Sequence, residues 1–372
     1  MSARFLTAVS GRAFNMRDRF GREIDYMRIS VIDSCNLNCY YCNPCDNNEH
    51  CHALNILSVK EVLCIVRAAT RLGIKHFRLT GGEPLLHPQL DEMGLQIKKI
   101  PGVSSVSLTT NAVLLAQHAK WLKEAGIDSI NVSLDTIDAS EYEHITKKPL
   151  LHKVEHGIDA AIECGIRVKI NVVLTPQTDV VALTRYASKK GTDIRFIEMM
   201  PVGEGHTNGV EPYEKVIGAL LEVYGTPCHI DTENREEINS GYNNSDNGPA
   251  EYYSFHGLNI RVGLIQAIHG KFCDTCNRIR VTADGRLMPC LGSSVTMDLV
   301  PDSCEFTDDL EKDFVIVQAL KAAIKAKPRC HNFNDNAVTY TKTTETKTVE
   351  TKATELKAAE VNAARNMSRI GG

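Results

Sequence analysis

A regular alternation of strand-like and helix-like patterns is the feature that most constrains the fold of this chain. Six short apolar runs are separated by stretches in which apolar residues recur at helical spacing. The predicted strands are 28–32, 74–79, 103–109, 128–134, 166–174 and 192–197, and the predicted helices begin after Ser58 and lie at 88–99, 114–126, 151–165 and 179–190. Such alternation predicts a parallel sheet with right-handed crossovers. Two architectures stay open, a doubly wound sheet and a partial β/α barrel.

Polar and small residues follow most of the predicted strands. In parallel α/β folds, functional groups gather at the carboxyl ends of the strands. Gly81-Gly82-Glu83 follows the second strand, Thr109-Thr110-Asn111 ends the third, Ser133-Leu134-Asp135 ends the fourth and Glu198-Met199-Met200 ends the sixth, while Lys169 and Asn171 lie within the fifth. Each group alone has an ordinary explanation as a turn, a helix cap or a core residue. Their coincidence predicts a functional site at one edge of the sheet.

Two cysteine triplets indicate metal chemistry. The first is Cys35, Cys39 and Cys42, directly after the first strand, and the second is Cys273, Cys276 and Cys290. A predicted hairpin turn at 283–286 brings the last cysteine back to its partners. Three thiolates suit a four-iron cluster that keeps one iron open, because such clusters normally take four cysteines. Zinc is the alternative at each triplet, with His269 or Cys304 completing a zinc ribbon at the second; Cys45 would compete as a fourth ligand at the first.

Composition sets outer limits on function. The chain has 372 residues, of which 43% are hydrophobic, a formal net charge of −4 and thirteen cysteines. No basic excess argues for a nucleic-acid partner, and no apolar run of about 18 residues predicts a membrane span. Cysteine usage without a signal peptide predicts a reducing compartment, the cytoplasm. Residues 1–15 have a weak transit-peptide composition and are taken as part of the mature chain.

Four segments are predicted from these patterns. Residues 1–27 form an N-terminal extension that packs on the core, and 28–205 form the β/α unit. Residues 206–333 form a C-terminal domain with the second triplet. Residues 334–372 form a Thr/Lys/Glu-rich linker that ends in Gly371-Gly372.

The motifs taken together resemble one family. The first triplet, Thr80 to Pro84, Phe272 to Arg280 with Cys290, and Gly371-Gly372 are similar to the MoaA family, the radical S-adenosyl-L-methionine (SAM) GTP 3′,8-cyclase of molybdenum cofactor biosynthesis. The resemblance implies a partial (β/α)6 TIM-type barrel whose mouth is capped by a C-terminal Fe–S extension. It implies two [4Fe–4S] clusters and SAM as cofactors. The expected reaction is that of a lyase: a 5′-deoxyadenosyl radical removes hydrogen from C3′ of GTP, and C3′ then bonds to C8 of guanine.

The resemblance also assigns roles to individual residues. The six triplet cysteines are implied as cluster ligands. The implied SAM-contacting residues are Tyr41, Gly82, Glu83, Ser133 and Met200. The implied GTP-contacting residues are Arg28, Arg78, Thr109, Lys169, Arg195, Arg278, Ile279 and Arg280, and the implied catalytic residues are Arg278, Arg280, Gly371 and Gly372. The implied partners are GTP, an external electron donor and cyclic pyranopterin monophosphate synthase as the next enzyme; a homodimer is left open.

Two departures from the family pattern and two competing functions remain. Ala112 stands where glycine is usual and is tolerable only with a negative φ. His76 stands where a lysine is common, so one cation is lost at neutral pH. The competing functions are a peptide-modifying radical SAM enzyme with two clusters and a non-catalytic metalloprotein, either a two-cluster electron carrier or a zinc-bound interaction module.

Overall fold

A computed structural model of the chain describes residues 16–42, 55–200, 213–230, 248–293, 296–299, 309–331 and 333. Within these residues the strands form one 12-stranded sheet. The strands are β1 Tyr26–Ser30, β2 His76–Thr80, β3 Ser105–Thr110, β4 Ser129–Ser133, β5 Arg167–Val173, β6 Asp193–Ile197, β7 Cys228–Ile230, β8 Glu251–Ser254, β9 Val262–Ile265, β10 Arg278–Val281, β11 Arg286–Met288 and β12 Met297–Asp298. The helices are α1 Val59–Arg71, α2 Leu90–Lys98, α3 Leu115–Glu124, α4 Ala139–Thr146, α5 Leu151–Glu163, α6 Val180–Lys190, α7 Tyr213–Tyr224 and α8 Asp309–Ala326.

The six central strands lie side by side in chain order from β1 to β6, and every neighbouring pair is parallel. A doubly wound sheet reverses its strand order at a switch point, and the order from β1 to β6 contains no reversal. The partial (β/α)6 barrel is therefore confirmed and the doubly wound alternative is wrong. In the described part of the chain, β12 and β7 lie at opposite ends of the strand order, so the sheet is open.

Later strands extend both sides of this central sheet. On one side β10 joins β1 in parallel, with Arg280 opposite Arg28, and β11 and β12 follow antiparallel. On the other side β9 joins β6 in parallel, and β8 and β7 follow antiparallel. The predicted hairpin at 283–286 is confirmed as the turn between β10 and β11.

The two faces of the central strands differ in chemistry. Side chains alternate from face to face along a strand. Met27, Ile29 and Phe77 are almost completely buried in the apolar core. Arg28 and Arg78 occupy the alternate positions and lie opposite each other across β1 and β2. The inner face of the partial barrel therefore carries charged side chains, and this face is where a polar ligand fits.

The helices follow the sequence patterns with three exceptions. The capping box at the start of α1 is confirmed: the Glu61 amide donates to Ser58 Oγ at 3.3 Å, and the Ser58 amide donates to Glu61 Oε2 at 2.8 Å. The sequence did not predict α4, α7 or α8, because α4 has only eight residues and the regular alternation breaks beyond residue 205, where the other two lie. Among the described residues, no helix has both the length and the apolar character that crossing a membrane requires.

The backbone of Ala112 adopts a conformation that alanine disfavours. Its φ is +63°, so the expectation of a negative φ at this position is wrong. A left-handed conformation costs a residue with a Cβ about 1–2 kcal/mol. Two contacts hold the backbone there: the Ala112 amide donates to Thr110 Oγ1 at 2.9 Å, and the Ala112 carbonyl lies against Gly157 of α5, where an added Cβ would be 2.5 Å from the carbonyl oxygen. The turn after β3 therefore keeps the geometry that glycine would favour.

Candidate active site

The first cysteine triplet lies in the loop that leaves β1, and the end of β2 holds this loop. The Gly82 amide donates to the Ile32 carbonyl at 2.7 Å, and the Glu83 amide donates to the Ser34 carbonyl at 2.8 Å. Neither Gly81 nor Gly82 has room for a side chain, because a Cβ on Gly82 would lie 2.5 Å from the Asp33 carbonyl oxygen and closer still to that of Ser34. The glycine pair therefore sets the position of the cysteine loop. A contact between Gly82 and SAM stays a prediction.

Glu83 is a buried carboxylate that joins the ends of β2 and β3. It accepts hydrogen bonds from the Leu85 amide at 3.0 Å, the Thr110 hydroxyl at 2.7 Å and the Asn111 amide at 2.7 Å. Burial raises the pKa of Glu83 to about 7, although these three donors favour its charged form. Asn111 in turn donates from Nδ2 to Cys35 Sγ at 3.7 Å. Glu83 thus supports the cysteine loop indirectly, and its predicted contact with SAM stays a prediction.

Tyr41 links the cysteine loop to the end of β4. Its hydroxyl donates to Asp135 Oδ2, and Asp135 Oδ1 accepts from the Val173 amide at 2.7 Å. Burial raises the pKa of Asp135 to about 6. The interpretation of Asp135 as a helix cap is wrong, because Asp138 caps α4 by accepting from the Glu141 amide at 2.8 Å. Asp135 is therefore a site residue, which the sequence had named only as part of the end of the fourth strand and without a role.

The chemistry of the first triplet suits a cationic partner. Burial raises the pKa values of Cys39 and Cys42, to about 12 for Cys42, and the neighbouring thiols and Asp135 raise them further. Thiols that raise each other's pKa in this way lie close together and become ligands once metal replaces their protons. Ser133, implied as a SAM contact, is half-buried at the end of β4 on the same edge of the sheet.

The second triplet is assembled by the β10–β11 hairpin. Cys273 and Cys276 lie in and after a 3₁₀ turn that precedes β10, and Cys290 follows β11. Lys327 donates from Nζ to Cys276 Sγ at 3.4 Å. Burial raises the pKa of Cys276, but the positive charges of Lys327 and Arg278 outweigh burial and lower the pKa overall. This triplet therefore contains a thiol that is disposed to act as a metal ligand.

The zinc alternative gains no support from the described residues. No three of their His, Cys, Asp or Glu side chains converge as the ligands of one metal ion would. In a four-iron cluster each cysteine binds a different iron, so the ligands spread more widely than around a single ion. His269, one candidate for a fourth zinc ligand, uses Nδ1 in a 2.6 Å hydrogen bond with Glu198. Cys304 and Cys45, the other two candidate ligands, lie outside the described residues.

A cavity on the inner face of the partial barrel reaches the second triplet. It encloses about 1440 Å³, including the space at its open mouth, and all three cysteines of this triplet line it. Other lining residues are Tyr26, Arg28, Arg78, Asn131, Asn171, Arg195, Met200, Arg278, Arg280, Lys327, His331 and Phe333. Five arginines that the resemblance implies as GTP contacts therefore share one cavity.

Acidic groups offset few of these charges: among the described residues, six arginines and Lys327 line the cavity against one acidic side chain, Asp128. Burial and the charge of Arg280 hold the pKa of Arg28 well below its usual range, and burial and the charge of Arg278 lower the pKa of Arg280 to about 10. Burial and the charge of Arg195 lower the pKa of Lys169 to about 6. In the part of the chain that the structure describes, three buried guanidinium nitrogens have no hydrogen-bond partner: Arg28 Nε, Arg195 Nη2 and Arg280 Nη1. Since buried donors are normally paired, the cavity is suited to an anion that accepts several hydrogen bonds.

Tyr26 belongs to this cation cluster, although the sequence analysis left it out. Its hydroxyl accepts from Arg78 Nε, and its ring lies 5.6 Å from the Arg278 guanidinium carbon. Burial raises the pKa of Tyr26, but the charges of Arg78, Arg28 and Arg278 outweigh burial and lower the pKa to about 8. The signal was available, because Tyr26 is two positions before Arg28 and shares its face of the strand.

The remaining predicted residues lie in different surroundings, and not all of them are described by the structure. Thr109 is buried beside Arg78, which donates to its hydroxyl at 3.4 Å. The side chain of Ile279 is in the apolar core, so only its backbone is placed to contact GTP. His76 hydrogen-bonds with Ser105 Oγ at 2.8 Å, and burial lowers its pKa, so it adds no cation at neutral pH. Gly371 and Gly372 lie outside the described residues.

Comparisons with known proteins identify the class of protein to which this chain belongs. The Radical SAM superfamily profile matches residues 29–183, and the Molybdenum Cofactor Synthesis C profile matches residues 192–333. Among solved structures, native anSMEcpe with bound AdoMet aligns with 81% of this chain and 84% of its own at a TM-score of 0.51 and 18% identity. Streptococcus suis SuiB bound to precursor peptide SuiA aligns with 80% of this chain and 64% of its own at a TM-score of 0.51 and 17% identity. The partial barrel and the first triplet define a radical SAM protein, which uses SAM and iron–sulfur chemistry.

Curated relatives narrow the class to one family. A GTP 3′,8-cyclase of Clostridium perfringens (strain SM101) is 36% identical over 322 residues, which cover 86% of this chain and 95% of the relative. A GTP 3′,8-cyclase of Listeria monocytogenes is 36% identical over 320 residues, which cover 85% of this chain and 92% of the relative. The chain therefore belongs to the GTP 3′,8-cyclase (MoaA) family.

Proposed function

We propose that this chain is a radical SAM lyase that converts GTP to (8S)-3′,8-cyclo-7,8-dihydroguanosine 5′-triphosphate, the first step of molybdenum cofactor biosynthesis. The observation that carries this proposal is the set of three unpartnered guanidinium nitrogens in a cavity that also reaches the second triplet. A nucleoside triphosphate supplies an anionic triphosphate for the arginines. It also supplies a nucleobase for the end of the cavity that reaches the second triplet. The names of the relatives supply GTP as the nucleotide.

Charge supports a triphosphate over a neutral substrate. Burying a cation without a partner costs several kcal/mol, and this cavity contains six arginines in its lining. Arginine presents two parallel donors to phosphate oxygens, which fixes the orientation of the phosphates as well as binding them. Arg28, Arg195 and Arg280 would donate their unpartnered hydrogens to the triphosphate, and Arg278 would lie between the triphosphate and the second triplet.

The proposed cofactors are two [4Fe–4S] clusters and SAM. Cys35, Cys39 and Cys42 would hold the cluster that binds SAM, and Cys273, Cys276 and Cys290 would hold the cluster nearest the guanine. When bound at the first triplet, SAM and its cluster would supply the radical chemistry that the reaction requires. Tyr41, Ser133 and Met200 are proposed to contact SAM. The protein's own task is to hold the ribose in place and to exclude water from the cavity.

Several finer assignments belong to the same proposal. An external reductant supplies the electron for SAM cleavage, and cyclic pyranopterin monophosphate synthase takes the product. A cytoplasmic location stays a proposal that rests on the cysteine usage of the sequence. The four predicted segments, the role of Gly371-Gly372 and the homodimer stay proposals on the sequence alone.

The proposal is tested by measuring 5′-deoxyadenosine formed by anaerobically reconstituted protein with SAM and a strong reductant. We expect GTP to raise the rate at least about tenfold over ATP and over no nucleotide, because the second triplet and Arg278 would favour guanine by at least 1.4 kcal/mol. Equal slow cleavage in all three samples would contradict GTP as substrate and favour the peptide-modifying alternative. Zinc in place of iron at both triplets would refute the radical chemistry.

Lys169 makes nucleotide binding dependent on pH. Its pKa of about 6 leaves it largely neutral at pH 7.5 in the free protein. A bound triphosphate would stabilise the ammonium and raise this pKa, so binding takes up close to one proton, and affinity falls as pH rises above about 6. Calorimetric titration with GTP in two buffers of different ionisation enthalpy measures this uptake.

The matched comparison for this titration is Lys169→Met, which cannot take up the proton. We expect the number of protons taken up by the wild type to exceed that of the variant by about one, whatever protons GTP itself exchanges. Equal proton uptake by the two proteins at pH 7.5 would show that Lys169 does not change its protonation on binding.

A further inference from the structure

The segment that follows α8 encloses the second cysteine triplet. His331 donates from Nε2 to the Ala267 carbonyl at 2.7 Å, next to the loop that leads to Cys273. Arg22 anchors the same segment from the N-terminal side, because it donates to the carbonyls of Pro328 at 2.6 Å, Arg329 at 2.9 Å and Cys273 at 2.6 Å. Residues 327–331 and the triplet are thus fixed to each other by contacts from distant parts of the chain.

Lys327 makes the most direct of these contacts. It is 2% exposed. Its ammonium donates to the Arg278 carbonyl at 2.7 Å, the Pro289 carbonyl at 2.9 Å and Cys276 Sγ at 3.4 Å. An ammonium has three hydrogens, so these three acceptors account for all of them. Two of the acceptors are neutral carbonyls, and the thiolate of Cys276 is the one acceptor that would carry a charge.

The positions of these acceptors give Lys327 a specific task. Arg278 is two residues after Cys276, and Pro289 directly precedes Cys290. One ammonium therefore ties together the two branches of the hairpin that must present cysteines to the same cluster. A hydrogen bond to a ligating sulfur also reduces the negative charge that an iron–sulfur cluster carries, which raises its reduction potential.

We propose that Lys327 is a positioning residue for the second cluster: it fixes Cys276 and Cys290 at their spacing and donates a hydrogen bond to the Cys276 sulfur when that sulfur ligates iron. This inference rests on the proposed second cluster. It assigns the residue after α8 to the cofactor site, although the sequence analysis placed no functional residue there. As a consequence, the second cluster is bound more tightly than by its three cysteines alone. It also has a higher reduction potential than it would have without Lys327.

The experiment uses the full chain with Cys35, Cys39 and Cys42 changed to alanine, so that only the second cluster forms. In this background, Lys327→Met removes the charge and the donor at similar length, and Lys327→Arg keeps both. Lys325→Met is the control at an exposed lysine in the last turn of α8. Iron and sulfide content, the rate of iron loss to a chelator and the potential of the cluster by electron paramagnetic resonance are measured after anaerobic reconstitution.

We expect Lys327→Met to weaken iron retention about tenfold to a hundredfold, as is typical when a group that orients a metal ligand is removed, and to shift the potential to a more negative value. Lys327→Arg should retain most of both properties, and Lys325→Met should match the background. Unchanged iron retention and potential in Lys327→Met would overturn the inference. A background that binds no iron would overturn the second cluster itself, and this inference with it. Circular dichroism of each variant separates loss of the cluster from loss of the fold. If Lys327→Met does not fold, Lys327→Arg becomes the deciding variant. Loss of iron from a folded Lys327→Arg would then contradict the inference.

Discussion

Gly82→Ala is expected to abolish iron binding at the first triplet and, with it, all cleavage of SAM. The alanine Cβ would lie 2.5 Å from the Asp33 carbonyl oxygen and nearer still to that of Ser34, and backbone atoms cannot rotate away as a flexible side chain does. The cysteine loop must therefore move, which costs about 1–3 kcal/mol for an overpacked site. The loss is measured as iron content, which should fall by half if the second cluster persists, and as the absence of 5′-deoxyadenosine.

The matched control for this substitution is Gly218→Ala. Gly218 lies in α7, and a Cβ there meets no atom within 4 Å. Alanine in an open helical position stabilises a protein by up to about 1 kcal/mol, so this variant should keep its full iron content. Full iron content and normal SAM cleavage in Gly82→Ala would show that the loop tolerates displacement, and that the glycine does not set the cluster position.

Arg280→Met is expected to weaken GTP binding while stabilising the protein that has no nucleotide bound. Hydrogen bonds to charged groups contribute about 1.5–3 kcal/mol each, so we expect the affinity for GTP to fall about tenfold to a hundredfold. Without nucleotide, the buried Arg280 Nη1 has no partner, and removing such a group relieves a desolvation penalty of about 1–3 kcal/mol. Affinity is measured calorimetrically, and stability by thermal unfolding with and without GTP.

Arg286→Met is the comparison for this substitution within the same hairpin. The Arg286 side chain is half-exposed and pairs with Asp298 at 3.3 Å. Surface ion pairs contribute about 0–1 kcal/mol, so this variant should bind GTP normally and lose little stability. If Arg280→Met instead lowered the unfolding temperature of the free protein and left GTP affinity unchanged, Arg280 would be a structural residue and not a substrate contact.

The sequence predicted the architecture well because its strands carry strong signals. Each of the six central strands was placed within a few residues, and their parallel arrangement followed from regular alternation with helices. The choice between the two architectures needed the strand order, which runs from β1 to β6 without reversal. The extension of this sheet needed the pairing of β10 with β1, which joins residues 252 positions apart in the chain. No periodic pattern encodes a pairing over that distance.

The candidate site was predicted where motifs are local and missed where contacts are distant. The triplets and the arginines could be named from their spacing and their resemblance to a family. The roles of Asp135 and Lys327 could not be predicted, because each acts through a residue far away in sequence: Asp135 through Tyr41, and Lys327 through Cys276. The turn at Ala112 was misjudged for the same reason, since packing against Gly157 overrides the preference of its own side chain.

The strand β10 is synthesised long after its neighbour β1, and this delay has a consequence during synthesis of the protein. While the ribosome is still making the middle of the chain, β1 has β2 on one side and a bare edge on the other, because its second neighbour is not yet made. An unpaired strand edge is a template for wrong partners, and chains longer than about 150 residues already pass through aggregation-prone intermediates. Slow translation or a shortage of chaperones should therefore reduce the yield of this protein before any cofactor is involved.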